Sequence, residues 1–178
     1  MVPAYHCPAT HRHSEILGFC TSSIINYLGK NDNYFLFRGK TDLVYWNMDE
    51  CFFEMINLDN LEITPQIFLD DVINTLDFVM PDIMLFHNNE CLGAKDHIKV
   101  AGFPDLIVEV WQDGNFNDCR NFKRKLYATS PTTEFWQITQ NSNIVKCSIG
   151  NKKIMDKSLT EPMQTLAGIP IDLTYLAL

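Results

Sequence analysis

GFPDLIVEVWQDGNFNDCRNFKRKLYATSPTTEFWQI, residues 102–138, is the stretch whose reading decides the fold. Leu106 to Trp111 (LIVEVW) is an apolar run of strand length, dense enough for a central strand covered on both faces. It carries one carboxylate, Glu109. Asn117 or Asp118 then opens a helix in which Phe122 and Leu126 face inward. Lys123 and Tyr127 share the neighbouring face at i, i+4, and Ser130-Pro131 ends the run. Glu134 to Thr139 (EFWQIT) is the next strand. Strand, helix and strand in that order predict a mixed α/β sheet flanked by helices.

Working outward, Val79 to Phe86 (VMPDIMLF) reads as a second central strand, again with a single carboxylate, Asp82. Downstream, Ile144 to Ile149 and Lys153 to Met155 alternate, with Gly150-Asn151 as a hairpin turn. Upstream, Ile16, Cys20, Ile24, Tyr27 and Leu28 follow helical spacing, so a helix is expected over Ser14 to Leu28, capped by Ser14 and stopped by Gly29. Tyr34 to Arg38 and Asp42 to Trp46 read as strands joined at Gly39-Lys40 in hairpin style. Residues 49–75 fit no single period. A strand or two there, and a helical turn near Leu69 to Leu76, are the expectation. No repeat, low-complexity tract or Gly/Ser linker divides residues 1–178, which read as one domain.

The 14 Lys and Arg against 22 Asp and Glu give a formal net charge of −8. An apolar share of 46% and a charged share of 20% are those of a globular chain. No window approaches 18 unbroken apolar residues, and the first fifteen residues lack an apolar signal core, so a soluble, cytoplasmic protein with no membrane partner is expected. The acidic balance argues against a protein that coats nucleic acid, because such affinity comes largely from cations neutralising phosphates. It leaves room for an enzyme with a local basic lip, and Arg120, Lys123, Arg124 and Lys125 form the one dense basic row. Six cysteines, at 7, 20, 51, 91, 119 and 147, contain no CxxC pair, which excludes a zinc ribbon or redox motif and favours reduced thiols.

The chemistry lies with Asp82 and Glu109, because an ionised carboxylate inside an apolar strand is costly unless a cation or hydrogen bonds compensate it. On period-two geometry Asp82 shares a face with Met84 and Phe86, and Glu109 with Ile107 and Trp111. If the strands are adjacent and in register, both carboxylates converge on one hard cation, the arrangement that serves phosphodiester hydrolysis. Lys123, one helix later, is the candidate to orient or deprotonate the nucleophile. The bland alternative stays open: Asp82 lies in a strand-entry turn after Pro81, and Glu109 pairs with a buried Arg or Lys. His11 and His13 could ligate a transition metal, but no third ligand is marked and a solvated N-terminal stretch is the better reading. Trp111 and Trp136 read as core anchors. No Gly-rich phosphate loop, GxSxG or HExxH is present.

Residues 102–138 resemble the core signature of a restriction-endonuclease-like family abundant in cyanobacteria, long classed as a domain of unknown function, within the PD-(D/E)XK nuclease superfamily. Pro81-Asp82 matches that family's first strand, Gly102 to Val110 its second, Asp118, Lys123 and Tyr127 its helix, and Glu134-Phe135-Trp136 the strand that follows. AGIPIDLTYLA, residues 167–177, resembles its closing segment, and His13 with Ile16 and Leu17 the start of its first long helix. The resemblance implies a restriction-endonuclease-like fold and a divalent-metal-dependent DNA endonuclease using Mg²⁺ or Mn²⁺. Asp82 and Glu109 are then the metal carboxylates. Lys123 is the displaced catalytic lysine, since Trp111 occupies the usual site two residues after Glu109.

Gln112 and Tyr127 are expected as hydrogen bonders behind these groups, Glu15 as an extra acidic group from the first helix, and Arg120, Arg124 and Lys125 as DNA contacts. Cutting both strands favours a homodimer with two sites about a twofold axis. Two other classes remain: a catalytically silent relative that serves as a binding module, and a structural α/β domain whose carboxylates are merely paired.

Overall fold

The computed structural model describes residues 10–29, 33–39, 41–44, 79–87, 92–93, 99–112 and 117–177. Its elements are α1 (His11–Leu28), β1 (Tyr34–Arg38), β2 (Asp42–Val44), β3 (Ile83–His87), β4 (Leu92–Gly93), β5 (Lys99–Ala101), β6 (Leu106–Trp111), α2 (Asn117–Tyr127), β7 (Glu134–Thr139), β8 (Ile144–Ile149), β9 (Lys152–Ser158), β10 (Met163–Gln164) and β11 (Pro170–Ile171), with a 3₁₀ turn at Thr174–Leu176.

The predicted strand–helix–strand stretch is a crossover. β6 and β7 pair in parallel, from Leu106 opposite Glu134 to Trp111 opposite Thr139, and α2 connects them. A parallel pair needs such a connection because a tight turn cannot bring the chain back to the same end. Antiparallel neighbours extend this unit on both sides into a six-stranded mixed sheet of order β1-β3-β6-β7-β8-β9. β3 and β6 are interior, which is why both read as almost unbroken apolar runs.

Alternation along these strands divides the core. Ile83, Leu85, Val108, Val110, Trp136 and Ile138 face α1, whose Ile16, Leu17, Cys20 and Ile24 bury against them. Met84, Phe86, Ile107 and Phe135 point the other way, where Tyr127 packs with Phe122 and Leu126 of α2. Full burial of one such side chain contributes about 1.5–3 kcal/mol, so each helix is held mainly by its apolar row. Leu43 and Val100, from a second, three-stranded sheet of order β2-β5-β4, join the α2 side.

The boundaries differ from the sequence reading in places. α1 begins three residues before Ser14 because Thr10 is the cap, its hydroxyl accepting from His13 N at 3.1 Å. Gly29, at φ 58°, closes it as expected. β1 and β2 do not form a hairpin. β1 pairs with β3, β2 pairs in parallel with β5, and Gly39 (φ 52°) donates to the carbonyl of Asp82 instead of reversing the chain. The turn signal was real, but the apolar edge of β3 takes β1 as its neighbour, and the chain leaves the large sheet at Gly39.

The run 79–86 likewise splits, Val79 bridging Leu43 and β3 starting at Ile83. β9 extends from Lys152 to Ser158, longer than expected, around the anticipated Gly150-Asn151 turn. A Cβ at Gly150, φ 51°, would come within 3.0 Å of the Ser130 carbonyl, so both backbone angle and space require glycine there. The expectations for 49–75 and for the helical turn near 69–76 lie outside the described residues. Cys20 and Cys147 are free thiols.

Candidate functional site

Pro81 has no N–H to give to a ladder, so regular pairing of β3 with β6 begins only after it. Asp82 occupies the bend between. Because Ile83 pairs with Val108, Asp82 lies opposite Glu109 one residue further along. Ile83 and Val108 both belong to the α1 side of the core, so period two turns Glu109 towards the α2 side, while Asp82, in the bend, lies near enough to act on it as a like charge. Two carboxylates are thus held side by side at one end of the central strand pair.

Glu109 is 2% exposed. Its Oε1 accepts from Lys123 Nζ at 2.7 Å and from the Tyr127 hydroxyl at 2.7 Å. Both donors come from α2, and their i, i+4 spacing stacks them on the helix face that lies over β6. Lys123 Nζ also donates to the Met80 carbonyl at 2.8 Å, so the ammonium ties both carboxylate strands together. The Glu109 carboxyl is raised, all effects together, to about 7, with burial the largest cause. The Lys123 charge pulls it down, and the like charge of Asp82 pushes it up again. For Lys123 burial acts to lower the pKa, but Glu109 and Asp82 outweigh it and the group is held above its ordinary value. The lysine is therefore an ammonium at neutral pH.

Asp82 is anchored differently. Its Oδ2 accepts from the Val110 backbone N–H at 2.8 Å, and its Oδ1 lies 3.3 Å from His13 Nε2. His13 comes from the first turn of α1, on the other side of the sheet from α2, and its Nδ1 is buried without a hydrogen-bond partner. Trp111 fills the position two residues beyond Glu109, with Lys123 Nζ 5.6 Å and the Arg120 guanidinium 5.4 Å from its ring centroid. An aromatic wall therefore stands beside the ammonium that α2 brings to Glu109.

Of the residues singled out by sequence, the structure brings Asp82, Glu109, Lys123 and Tyr127 together. Glu15 is turned elsewhere: its carboxylate pairs with His11 at 3.3 Å and Arg12 at 4.0 Å. The helical rotation of about 200° between residues 13 and 15 accounts for it, since the face that brings His13 to Asp82 carries Glu15 away. Gln112 is half-buried just past β6, and no bond to the carboxylates is described for it. Arg124 donates to Gln137 on β7, Arg120 packs on Trp111, and Lys125 is exposed, so the basic row is not one solvated face.

Sequence reasoning set His13 aside as part of a solvated N-terminal stretch, whereas its side chain is 16% exposed and faces Asp82, and it missed the Met80 carbonyl and the Val110 N–H. His13 had a usable signal, its place three residues ahead of the apolar Ile16-Leu17 pair on the helix that covers β3 and β6. The thiols of Cys20 and Cys147 are not alternative nucleophiles, since burial pushes both up to about 12.

No group of three or more His, Cys, Asp or Glu side chains placed to hold a metal is found among the described residues. The carboxylate pair is the available donor set. An ionised carboxylate offers about four lone-pair sites. The described partners take one on each oxygen of Asp82 and two on Oε1 of Glu109, so capacity for a cation remains.

No family model matches the chain, and no curated protein matches it. Among solved structures, one described as "a putative nuclease belonging to DUF820", from Anabaena variabilis, superposes with a TM-score of 0.62 at 12% sequence identity, over 96% of this chain and 82% of that one. At that identity the likeness is one of fold: the mixed sheet flanked by helices is that of a nuclease-like α/β domain. None of the described helices is long and apolar enough to cross a membrane.

Proposed function

We propose that the chain is a divalent-metal-dependent nuclease acting on DNA, with Asp82 and Glu109 holding the cation and Lys123 directed at the reacting phosphate. The observation that carries the reading is the nearness of the Asp82 and Glu109 carboxylates to each other and to one helix-borne ammonium, where the bend before β3 meets the end of β6. The description of the structural neighbour as a nuclease adds weight.

The donor set fits a hard cation. Mg²⁺ is commonly bound by one or two carboxylates together with substrate phosphates and water, and a cation held by Asp82 and Glu109 would offset both the burial that chiefly raises the Glu109 pKa and the like charge of Asp82 that adds to it. When bound, such an ion neutralises phosphate charge and lowers the pKa of a coordinated water. Within the chain, Tyr127 and Lys123 fix one oxygen of Glu109, and the Val110 N–H and His13 fix Asp82. Lys123, kept charged, is a hydrogen-bond donor to a phosphate oxygen rather than a base. Trp111 beside it limits its hydration, which strengthens that donation.

The same bonds support a second, structural reading, in which Lys123 neutralises Glu109 and the Val110 N–H satisfies Asp82, with no ligand involved. Cleavage of plasmid and linear DNA with Mg²⁺ or Mn²⁺ separates the two. The native protein should cut. Asp82→Ala, Glu109→Gln and Lys123→Ala should each lose on the order of 10²–10³-fold while keeping native circular dichroism. A native protein inert with either metal, or an Asp82→Ala variant that cuts normally, leaves the structural reading standing. Cutting of both strands calls for a twofold homodimer, which sedimentation of the active protein measures.

A further inference from the structure

Register across the large sheet sets out a polar row that starts at the carboxylates. Glu109 pairs with Gln137, Gln137 with Lys146, and Lys146 with Asp156, so these four side chains stand in line on the α2 side of β6, β7, β8 and β9. α2 covers the first part of that line and then stops. Lys123 lies over Glu109 and Arg124 over Gln137, whereas on β8 Ile144 and Lys146 of this face are exposed and Ser148 is half-buried. Among the described residues a shelf of sheet with Ile144 and Lys146 exposed is left between the helix and the β9 edge.

The shelf's chemistry suits an anion. The Arg124 Nε–H donates to Gln137 Oε1, which fixes the amide so that its NH₂ is the end left for an incoming acceptor. Asp156, the shelf's own acid, is bonded by Lys153 at 2.8 Å, and Glu109 by Lys123 at 2.7 Å. Lys146 therefore adds positive charge to a surface whose carboxylates are already paired, in a chain of net charge −8. Adjacent strands are about 4.8 Å apart, so Lys146 stands about 10 Å from Glu109 in the sheet. Backbone charges recur every 3.4 Å or so along each strand of a duplex, so one strand can touch both.

We infer that Arg124, Gln137 and Lys146 form a track for the phosphates that flank the scissile one, guiding a nucleic-acid strand from the carboxylate pair across β7 and β8. The inference rests on the nuclease reading and adds to it the direction in which the strand runs. It also explains how an acidic protein holds a polyanion without a broadly basic surface: the attraction is confined to a strip leading from the site.

The test compares two reversals of equal charge. Binding of a fluorescein-labelled duplex is followed by anisotropy with Ca²⁺ in place of Mg²⁺, across a salt series, for Lys146→Glu on the shelf and Lys152→Glu at the hairpin end of β9. Lys146→Glu should weaken binding about tenfold and reduce the slope of log affinity against log salt by about 1, the signature of a lost phosphate contact. Lys152→Glu should change affinity less than twofold, and Gln137→Ala should weaken it a few-fold with the slope unchanged. Melting temperatures measured alongside confirm folded variants, and Lys146→Ala, which keeps the exposed position without a new acid, should show the same slope change. Equal losses from Lys146→Glu and Lys152→Glu would overturn the track in favour of diffuse attraction while leaving the nuclease reading intact. A native protein that neither binds nor cuts DNA overturns both.

Discussion

Glu109 and Glu134 sit on neighbouring parallel strands of one sheet, expose 2% and 4% of their surface, and point to opposite faces. Glu134, on the α1 side, gives each oxygen one fixed neutral donor: the Trp136 indole N–H at 2.6 Å and the Leu166 backbone N–H at 2.7 Å. The second bond pins the segment after β10 to the sheet. Glu109, on the α2 side, receives its two described donors on a single oxygen. One of them is the end of a flexible cationic chain, and a like charge lies across the strand pair. A buried carboxylate with rigid neutral donors on both oxygens is a structural clasp. One beside a second carboxylate, with both described donors on a single oxygen, keeps capacity for a ligand, and such surroundings mark candidate functional sites.

The largest expected effects divide the two. Glu109→Gln should lose DNA cleavage as set out above, whereas Glu134→Gln should cleave within a few-fold of native. A Glu134→Gln variant as inactive as Glu109→Gln, yet equally well folded, would dissolve the contrast. Stability should show the reverse order. Glu134→Ala removes the acceptor of two buried donors and should destabilise by about 2–5 kcal/mol, visible as a drop of several degrees in thermal unfolding. Glu109→Gln leaves acceptors for both Lys123 and Tyr127 and should cost far less.

How much of this could be read beforehand follows the same division. β6, β7 and β8, and the α2 face shared by Lys123 and Tyr127, were legible because period two, period 3.6 and dense apolar runs are local signals. The nearness of Asp82 to Glu109 was legible for the same reason, once the strands were neighbours, but Asp82 stands in the bend before β3 and its carboxylate reaches the Val110 N–H and His13. Their partners were legible only in part: Tyr127 was expected behind the carboxylates and donates to Glu109, but the contacts of Asp82 were not foreseen. Whether Lys123 reaches Glu109 depends on how α2 crosses the sheet, and His13 meets Asp82 only because α1 docks on the opposite face. Glu15, two residues from His13, was the natural guess for a group from that helix, and only the docked rotation of α1 excludes it. The mistaken hairpin at Gly39 has the same origin: a turn residue tells that the chain bends, not which strand it will join.

A smaller effect concerns pH. In the metal-free protein the Glu109 carboxyl is raised from 4.5 to about 7, so the folded state holds its proton more tightly than the unfolded one. Its contribution is complete below about pH 4.5 and is lost as pH rises through about 7. Lys123, also raised, keeps its contribution until pH passes the ordinary lysine value of 10.5, outside that window. With chelator present, native protein should therefore lose melting temperature relative to Glu109→Gln between pH 4.5 and 7.5, then run parallel to it up to pH 9. Millimolar Mg²⁺ should remove much of the difference by binding the ionised pair. Parallel curves throughout would mean that Lys123 neutralises Glu109 fully, as in the structural clasp.

The smallest expected effect belongs to the contact between the two faces. His13 lies 3.3 Å from Asp82, yet α1 is docked by Ile16, Leu17, Cys20 and Ile24, so removing the imidazole should leave the helix in place. Asp82 would keep its bond from the Val110 N–H, which fixes one oxygen but not the rotation of the other. His13→Ala should therefore raise the Mg²⁺ concentration for half-maximal cleavage by about tenfold, the low end for loss of a group that orients a metal-binding carboxylate, with the saturated rate little changed. His13→Asn should recover part of that loss if its amide reaches the same oxygen. A loss as deep as that of Asp82→Ala would make His13 a ligand in its own right, giving the site three donors. No change at all would leave the Val110 N–H as the sole anchor of Asp82, and the α1 face would then have no part in the chemistry.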